Sequence, residues 1–192
     1  MKNLLYILVL LAFFSSCIKK SKLDVINEDS KQQSELLEAY CLVDSLIKHG
    51  IINQVAYSAF MEKTLFFYQE FPEESITPKM LWSAGIAGMV YAKYAKDASD
   101  DSLIVVNYAQ KSIKFFDIIL KVYPDYENAR NTYLYRGTIY EDILEDYESA
   151  KYEYLEYINK YPDDSVSHSL KEYIKYLGIT PDEIYRNFTI SE

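Results

Sequence analysis

The same short ending occurs three times along the chain, and each copy places a proline directly after an aromatic residue. The copies read Phe-Pro-Glu at 71–73, Tyr-Pro-Asp at 123–125 and Tyr-Pro-Asp at 161–163. Proline has no backbone N–H and clashes with the preceding helical turn, so a helix ends at or before each copy. This pattern predicts helices that stop at recurring places.

Apolar residues between these prolines recur at helical spacing. Ala109, Ile113, Phe116 and Leu120, for example, are three or four residues apart and so lie on one helical face. The chain has only 5 glycines and 5 prolines in 192 residues, too few turn-forming residues for many short strands. The predicted fold class is therefore all-α. The predicted helices are 32–49, 53–70, 78–95, 102–122, 127–144, 147–160, 166–177 and 181–188.

Glycine marks two further helix ends. Gly50 and Gly178 stand where a residue in the left-handed conformation closes a helix. After the second glycine, Thr180 and Glu183 have the spacing of a capping box, which predicts that another helix starts there.

Large and small residues follow a fixed order before the last proline. The order is large, small, large, large, small, large and proline, at Tyr133, Gly137, Tyr140, Tyr147, Ala150, Tyr154 and Pro162. It resembles the order in a tetratricopeptide repeat, a hairpin of two helices whose small residues let the backbones approach closely. The interval from Gly137 to Ala150 is one residue longer than in that family. We therefore expect a turn between the two helices that is one residue longer.

Two other segments, 34–72 and 82–124, resemble the repeat more weakly and also end in an aromatic residue and a proline. The resemblance implies a right-handed α-solenoid of about three tetratricopeptide-like hairpins, closed by a C-terminal capping segment at 165–188. Arrays of this kind need several stacked repeats and an atypical last unit. The repeat domain is expected to span residues 32–192.

The first 16 residues have the layout of an export signal. Lys2 precedes an unbroken apolar run from Leu4 to Phe14, and Ser15 and Ser16 follow it. The run is shorter than the roughly 20 residues that cross a bilayer. The small-small-Cys ending resembles the lipobox of bacterial lipoproteins, which implies that Cys17 is lipidated and becomes the first residue of the mature chain. The alternative is an ordinary secretory signal that is cleaved near Ser16.

Residues 17–31 are expected to form a flexible basic and polar tether. Its basic stretch, Lys-Lys-Ser-Lys at 19–22, would lie against anionic headgroups next to the anchor. Ile18, rather than an aspartate, follows the cysteine, and residues 18–22 contain no acid. By resemblance to Gram-negative lipoproteins, these features predict an outer-membrane protein that is lipid-anchored and faces the periplasm.

The charge of the chain and its few histidines argue against several functions. The net charge of −9 opposes nucleic-acid binding, which needs clustered basic residues. His49 and His168 are far apart, and no nucleophile or phosphate-binding motif occurs, so we expect no enzyme, no metal and no cofactor. The acids between 141 and 148 lack the spacing of a calcium loop and are expected to form a solvated edge.

The specific repeat also contains the candidate partner-binding groove, formed by Arg130, Tyr133, Arg136, Tyr140 and Tyr154. Arginine can hold a carboxylate or a main-chain carbonyl, although pairing with nearby acids explains the two arginines equally well. The chain has 20 tyrosines, some expected in the core and others exposed. The expected function is a non-catalytic scaffold or adaptor for envelope proteins. The alternative is a glycan- or peptide-binding lipoprotein that uses exposed tyrosines.

Three Asp-Ser sites have a second interpretation. Asp-Ser-Leu at 44–46 and 101–103 and Asp-Ser-Val at 164–166 resemble acceptor sites for O-glycosylation of exported proteins in some Gram-negative bacteria. Helix capping by aspartate and serine explains the second and third sites without any modification.

Overall fold

The computed structural model describes residues 28–98 and 101–179, and these residues form helices without a strand. The all-α prediction is confirmed for this part of the chain. The helices are α1 (Glu28–Lys48), α2 (Gln54–Glu70), α3 (Thr77–Asp97), α4 (Ser102–Val122), α5 (Asn131–Thr138), α6 (Tyr147–Lys160) and α7 (Ser165–Tyr173). A π-helical turn, Ile139–Ile143, continues α5 and is called the π segment below.

The predicted bounds of α4 and α6 match the structure to the residue. Helix α1 begins at Glu28, inside the segment expected to be a tether. The predicted signal peptide, Cys17 and the last predicted helix, 181–188, lie outside the described residues. Among the helices that the structure describes, none has both the length and the apolar character that crossing a bilayer requires.

The chain divides into two compact units, Met1–Ala87 and Gly88–Glu192, called the N-terminal and C-terminal units below. In the N-terminal unit, α1 packs against α2. Gly50 has a φ of 64° and ends α1 in the left-handed conformation, as predicted. Asn53 then caps α2 by accepting a hydrogen bond from the backbone N–H of Ala56. The core of this unit contains Leu36, Val43, Tyr57, Phe60, Met61, Phe67, Met80, Leu81 and Ala84.

In the C-terminal unit, each helix packs against the next along the chain. Helix α4 contacts α5 and the π segment, α5 contacts α6, and α6 contacts α7. The rings of Tyr91 on α3 and Tyr108 on α4 lie 4.4 Å apart, centre to centre. The main cluster of buried residues contains Tyr133, Ala150, Tyr154, Tyr157, Ile158 and Leu170. Aromatic side chains therefore supply much of this core.

The three aromatic-proline sites share one backbone geometry. Phe71, Tyr123 and Tyr161 have φ/ψ values of −133°/58°, −126°/54° and −129°/59°. In each case the aromatic residue donates its N–H to the carbonyl four residues earlier, which closes the helix. The N–H three residues later donates to the carbonyl of the aromatic residue, at 3.3, 3.0 and 3.2 Å. The prediction that these sites end helices is confirmed.

The sixth residue after each of these aromatic residues is small and buried. Thr77 donates its hydroxyl to the carbonyl of Phe71 at 2.8 Å, and Ser167 donates to that of Tyr161 at 2.5 Å. Ala129 stands at the corresponding place in the middle copy. The hydroxyl is thus a second donor to a carbonyl that already accepts the N–H three residues later, in two of the three copies.

Candidate functional site

The close contact expected at Gly137 is present, and its partner is a tyrosine ring. A Cβ atom added at Gly137 would lie 2.2 Å from Cε1 of Tyr154. Ala150 is fully buried on the same helix as Tyr154, α6. The absence of a side chain at Gly137 therefore makes room for the ring between α5 and α6.

The extra residue between Gly137 and Ala150 is absorbed by the helix, and the prediction of a longer turn is wrong. The N–H of Leu144 donates to the carbonyl of Ile139, five residues back, at 3.0 Å. This bond defines a π-helical turn, which inserts one residue while the backbone stays hydrogen-bonded. Only residues 144–146 then separate the π segment from α6, and Glu145 among them has a φ of 56°.

The π segment presents Glu141 to two tyrosines. Tyr154 of α6 donates its hydroxyl to Oε2 of Glu141 at 2.8 Å, and Tyr173 of α7 donates to Oε1. The two rings meet edge to face, with centres 6.0 Å apart. Burial and then the hydrogen bond to Glu141 raise the pKa of both phenols, so both remain protonated donors at neutral pH. One carboxylate thus links three successive elements.

Lys96, near the end of α3, secures the turn after the π segment. Its Nζ atom donates to the carbonyl of Asp142 and to Oε1 of Glu145, both at 2.7 Å. The hydrogen bond and the charge of Lys96 lower the pKa of Glu145. The acidic edge expected from the sequence at 141–148 is therefore partly used in internal contacts.

Arg136 of α5 pairs with two carboxylates. Its guanidinium lies 3.0 Å from Oδ1 of Asp117 on α4 and 2.6 Å from Oε1 of Glu153 on α6. Burial raises the pKa of Glu153 to about 7, although the charge of Arg136 opposes this shift. Burial also raises the pKa of Tyr140, which neighbours the same guanidinium. Arg136 and Tyr140 thus belong to one polar cluster between three helices.

The remaining predicted groove residues differ in exposure. Tyr133 is buried, and its hydroxyl accepts a hydrogen bond from Nζ of Lys160 at 2.5 Å. Arg130 has 54% of its side chain exposed and lies 3.3 Å from Oδ2 of Asp164. Of the five groove residues, Tyr133, Arg136 and Tyr154 are held in contacts between helices, and Arg130 is the most open to solvent.

The tyrosines divide as the sequence suggested. Of the four expected mainly in the core, Tyr133 and Tyr154 are buried and Tyr140 and Tyr161 are partly buried, whereas Tyr157, from the group that could not all be buried, is buried. The exposed tyrosines of α6, α7 and the residues after α7 are Tyr147 (42%), Tyr152 (60%), Tyr173 (45%) and Tyr176 (44%). These rings offer apolar area to solvent, which suits contact with peptides or sugars, although the hydroxyl of Tyr173 is already donated to Glu141.

Neither histidine takes part in a metal-type cluster. His49 and His168 are both exposed, at the end of α1 and on α7. Within residues 28–98 and 101–179, no group of three His, Cys, Asp or Glu side chains is arranged to hold a metal ion. In the two Asp-Ser sites assigned to capping, Asp101 and Asp164 accept backbone hydrogen bonds at the starts of α4 and α7.

The N-terminal unit contains a shallow groove that the sequence did not indicate. Its volume is about 270 Å³, and it is lined by Gln32, Glu35, Glu62, Lys63, Phe66 and Phe67. Lys63 donates to Oε2 of Glu35 at 2.9 Å and lowers the pKa of that carboxyl. Phe66 is half exposed beside this ion pair. The groove joins residues of α1 and α2 that are nearly thirty positions apart, so sequence spacing alone gave no signal.

The sequence pattern did not identify Glu153 and Asp117 as partners of Arg136 in the polar cluster. Glu153 stands at helical spacing with Ala150, Tyr154 and Tyr157, all of them buried, so the helical pattern did place an acid on an apolar face. That signal was available in the sequence. Comparison with known proteins adds no assignment, because no family model matches the chain and no curated protein is significantly similar to it.

Proposed function

We propose that the protein is a non-catalytic lipoprotein of the periplasmic face of the outer membrane, with a tetratricopeptide-like helical scaffold that holds one or more envelope proteins. The lipid on Cys17 would confine the scaffold to the membrane surface, because acyl chains add about 0.8 kcal/mol for each buried CH₂ group. The process that it serves would be the assembly or maintenance of an envelope complex.

The observation that carries this proposal is the helix end that recurs at residues 71, 123 and 161. Three ends with the same backbone angles, each with a small buried residue six positions later, support a repeated structural unit. The contact of Gly137 with Tyr154 supports hairpin packing of the tetratricopeptide kind. Repeat arrays present extended surfaces, and binding to other proteins is their commonest use. This inference goes from fold to function and is therefore an analogy.

Within the proposed groove, Arg130 is the residue that we expect to contact a partner directly. Its side chain is more than half exposed, and its ion pair with Asp164 has a long distance of 3.3 Å. An exposed pair of this kind contributes at most about 1 kcal/mol, so a partner carboxylate can replace it at low cost. Tyr133, Arg136, Tyr140 and Tyr154 would hold in place the helices that frame the groove.

Site-specific crosslinking in the native envelope tests the proposal. A photo-crosslinking residue replaces Arg130 or Tyr152 in the C-terminal unit, and Val55, which is 79% exposed in the N-terminal unit, is the matched control position. We expect one identified envelope protein to be captured from positions 130 and 152 and less of it from position 55. The scaffold proposal fails if no position yields a protein adduct above background.

The second candidate function is binding of a glycan or peptide, and the four exposed tyrosines favour it. Stacking on aromatic rings gives contact area at low entropic cost. Replacing Tyr152 and Tyr176 together should then weaken retention on a glycan or peptide array, whereas crosslinking to a protein from position 130 would be unchanged. A double variant that binds the array as the wild type does would eliminate this candidate.

A further inference from the structure

Three charged side chains from three helices meet inside the C-terminal unit. Arg136 of α5 donates to Asp117 of α4 and to Glu153 of α6, at 3.0 Å and 2.6 Å. Only 2% of Glu153 and 17% of the Arg136 side chain are exposed. Glu153 and Arg136 are thus largely withdrawn from water, whereas the Asp117 side chain is 33% exposed, and one guanidinium pairs with both carboxylates.

The cluster has an excess of negative charge when both carboxylates are ionised. The groups that act on Glu153 are Arg136 of α5, Asp117 of α4 and Glu156 of α6 itself, and two of these three are acids. Tyr140 of the π segment adds a neutral hydroxyl, because burial raises its pKa. The cluster thus contains more acid than its single guanidinium can neutralise.

The hydrogen bonding of the cluster is incomplete as well. Within the described part of the chain, Oε2 of Glu153 and Nε of Arg136 have no hydrogen-bond partner. Burying an ionised oxygen without a hydrogen-bond donor costs free energy, because the oxygen loses its hydrogen bonds to water and makes none with the protein. A protonated carboxyl group at this position would remove that charge while its other oxygen still accepts from Arg136.

We propose that these residues form a proton-sensitive clamp, in which uptake of one proton by Glu153 leaves Arg136 paired with Asp117 and strengthens the packing of α6 against α4 and α5. The pKa of Glu153 agrees with this arrangement, since burial raises it from 4.5 to about 7. In the unfolded chain the carboxyl regains its ordinary pKa. The stabilisation is therefore fully present below pH 4.5 and is lost as the pH rises through about 7.

The first test measures unfolding of the full-length chain in mild detergent by urea, at about pH 5.5 and about pH 8. The raised pKa of Glu153 predicts that its unfolding equilibrium constant is about 30-fold larger at the higher pH. In the Glu153→Gln variant, which resembles the protonated form, this factor should fall to about 3 or less. Glu148→Gln, an exposed change on the same helix, is the matched control and should keep the wild-type response.

The second test follows the carboxyl groups themselves by carbon-13 NMR. Glu153 should titrate near pH 7 in the wild type. Asp117→Asn should lower this midpoint, because the Arg136 guanidinium would then pair with the carboxylate of Glu153 alone. This variant keeps the clamp testable if Glu153→Gln does not fold. A Glu153 midpoint below about pH 5, an unchanged midpoint in Asp117→Asn, or an undiminished pH response in Glu153→Gln would overturn the proposal.

Discussion

Replacing Gly137 by alanine should destabilise the C-terminal unit strongly, although alanine is the better helix former. The new Cβ atom would lie 2.2 Å from Cε1 of Tyr154 and 2.7 Å from its Cδ1 and Cζ atoms. Carbon atoms in contact are normally about 3.5–4 Å apart. The ring must therefore retreat by more than about 1 Å, and its hydroxyl cannot then keep its 2.8 Å bond to Glu141.

The magnitude follows from three contributions. Overpacking in a core costs about 1–3 kcal/mol. Loss of a hydrogen bond to a charged group costs about 1.5–3 kcal/mol. The change from glycine to alanine inside a helix returns about 1 kcal/mol. The expected net loss of stability is about 1.5–5 kcal/mol, and its sign is opposite to that of helix propensity alone.

Urea unfolding followed by circular dichroism measures this loss, and hydrogen exchange locates it in α5 and α6. A second substitution, Tyr154→Val, provides the decisive comparison, because valine ends at the γ position and lacks the three ring atoms that clash. In that background Gly137→Ala should be neutral or stabilising. The coupling energy between the two sites should therefore reach about 2 kcal/mol or more.

Gly50→Ala serves as the control for a glycine effect without a clash. Gly50 has a φ of 64° and no heavy atom within 4 Å of the added Cβ, so alanine there costs only backbone strain of about 1–2 kcal/mol. That loss should be the same with either residue at position 154. If Gly137→Ala stabilises the wild type, or shows no coupling to Tyr154, the contact between α5 and α6 is not as described.

Three further predictions concern other features of the chain. Ser167→Ala removes one of two donors to the carbonyl of Tyr161 and should cost about 1 kcal/mol in urea unfolding, and an unchanged midpoint would show that this hydroxyl is dispensable. Cys17→Ser should remove the lipid mass and release the protein from the membrane fraction, as intact-mass measurement and fractionation would show. If the lipid mass and the membrane association both persist in the variant, lipidation at this residue is refuted. The raised pKa values of Tyr154 and Tyr173 give stability that is present below pH 10.0 and lost above it, because the unfolded phenols ionise first. The stability of the Tyr154→Phe/Tyr173→Phe double variant should therefore fall less steeply with rising pH above 10 than that of the wild type. Equal slopes would contradict the raised pKa values.

Helix bounds were predictable where local signals agree. Asp101 and Asp146 cap α4 and α6 with their side chains, and Tyr123 and Tyr161 end the same helices before a proline. Side-chain caps and prolines act within a few residues, so the sequence determines them without knowledge of the fold. These are the two helices whose bounds match to the residue.

Bounds were less accurate where short-range turns compete with helical spacing. Helix α5 was expected from residue 127 but begins at Asn131, because residues 126–130 form successive turns with hydrogen bonds between residues i and i+3. Thr132 contributes to them by donating its hydroxyl to the carbonyl of Ala129 at 2.6 Å. Helix α7 was expected to reach 177 but ends at Tyr173, after which Tyr176 donates its N–H to the carbonyl of Tyr173. Apolar spacing continues through both segments, so it could not distinguish a turn from a helix.

The side-chain pairings of the candidate site were beyond sequence reasoning for a different reason. Arg136 is followed closely by acids in the sequence, yet it pairs with Asp117 and Glu153, each at least seventeen residues away. Which acid meets an arginine depends on the register between helices, which the spacing within one helix does not specify. The π segment was likewise not predicted. Pattern matching recorded the extra residue but assigned it to the loop, where insertions are usually cheapest.

Placing the extra residue in the helix has a consequence that a longer loop would not have. A residue inserted into a continuous α-helix would turn every later side chain of that helix by about 100° around the axis, whereas a π turn takes up one extra residue as a local bulge. Glu141 lies inside the π segment, four residues after Gly137, so the widened turn itself carries the carboxylate that accepts from the hydroxyls of Tyr154 and Tyr173, while Gly137 contacts the Tyr154 ring. A strictly α-helical segment would bring a different residue to that position. The ring of Tyr154 therefore joins the two features, because it packs against Gly137 and its hydroxyl, with that of Tyr173, binds the carboxylate that links the π segment to α6 and α7.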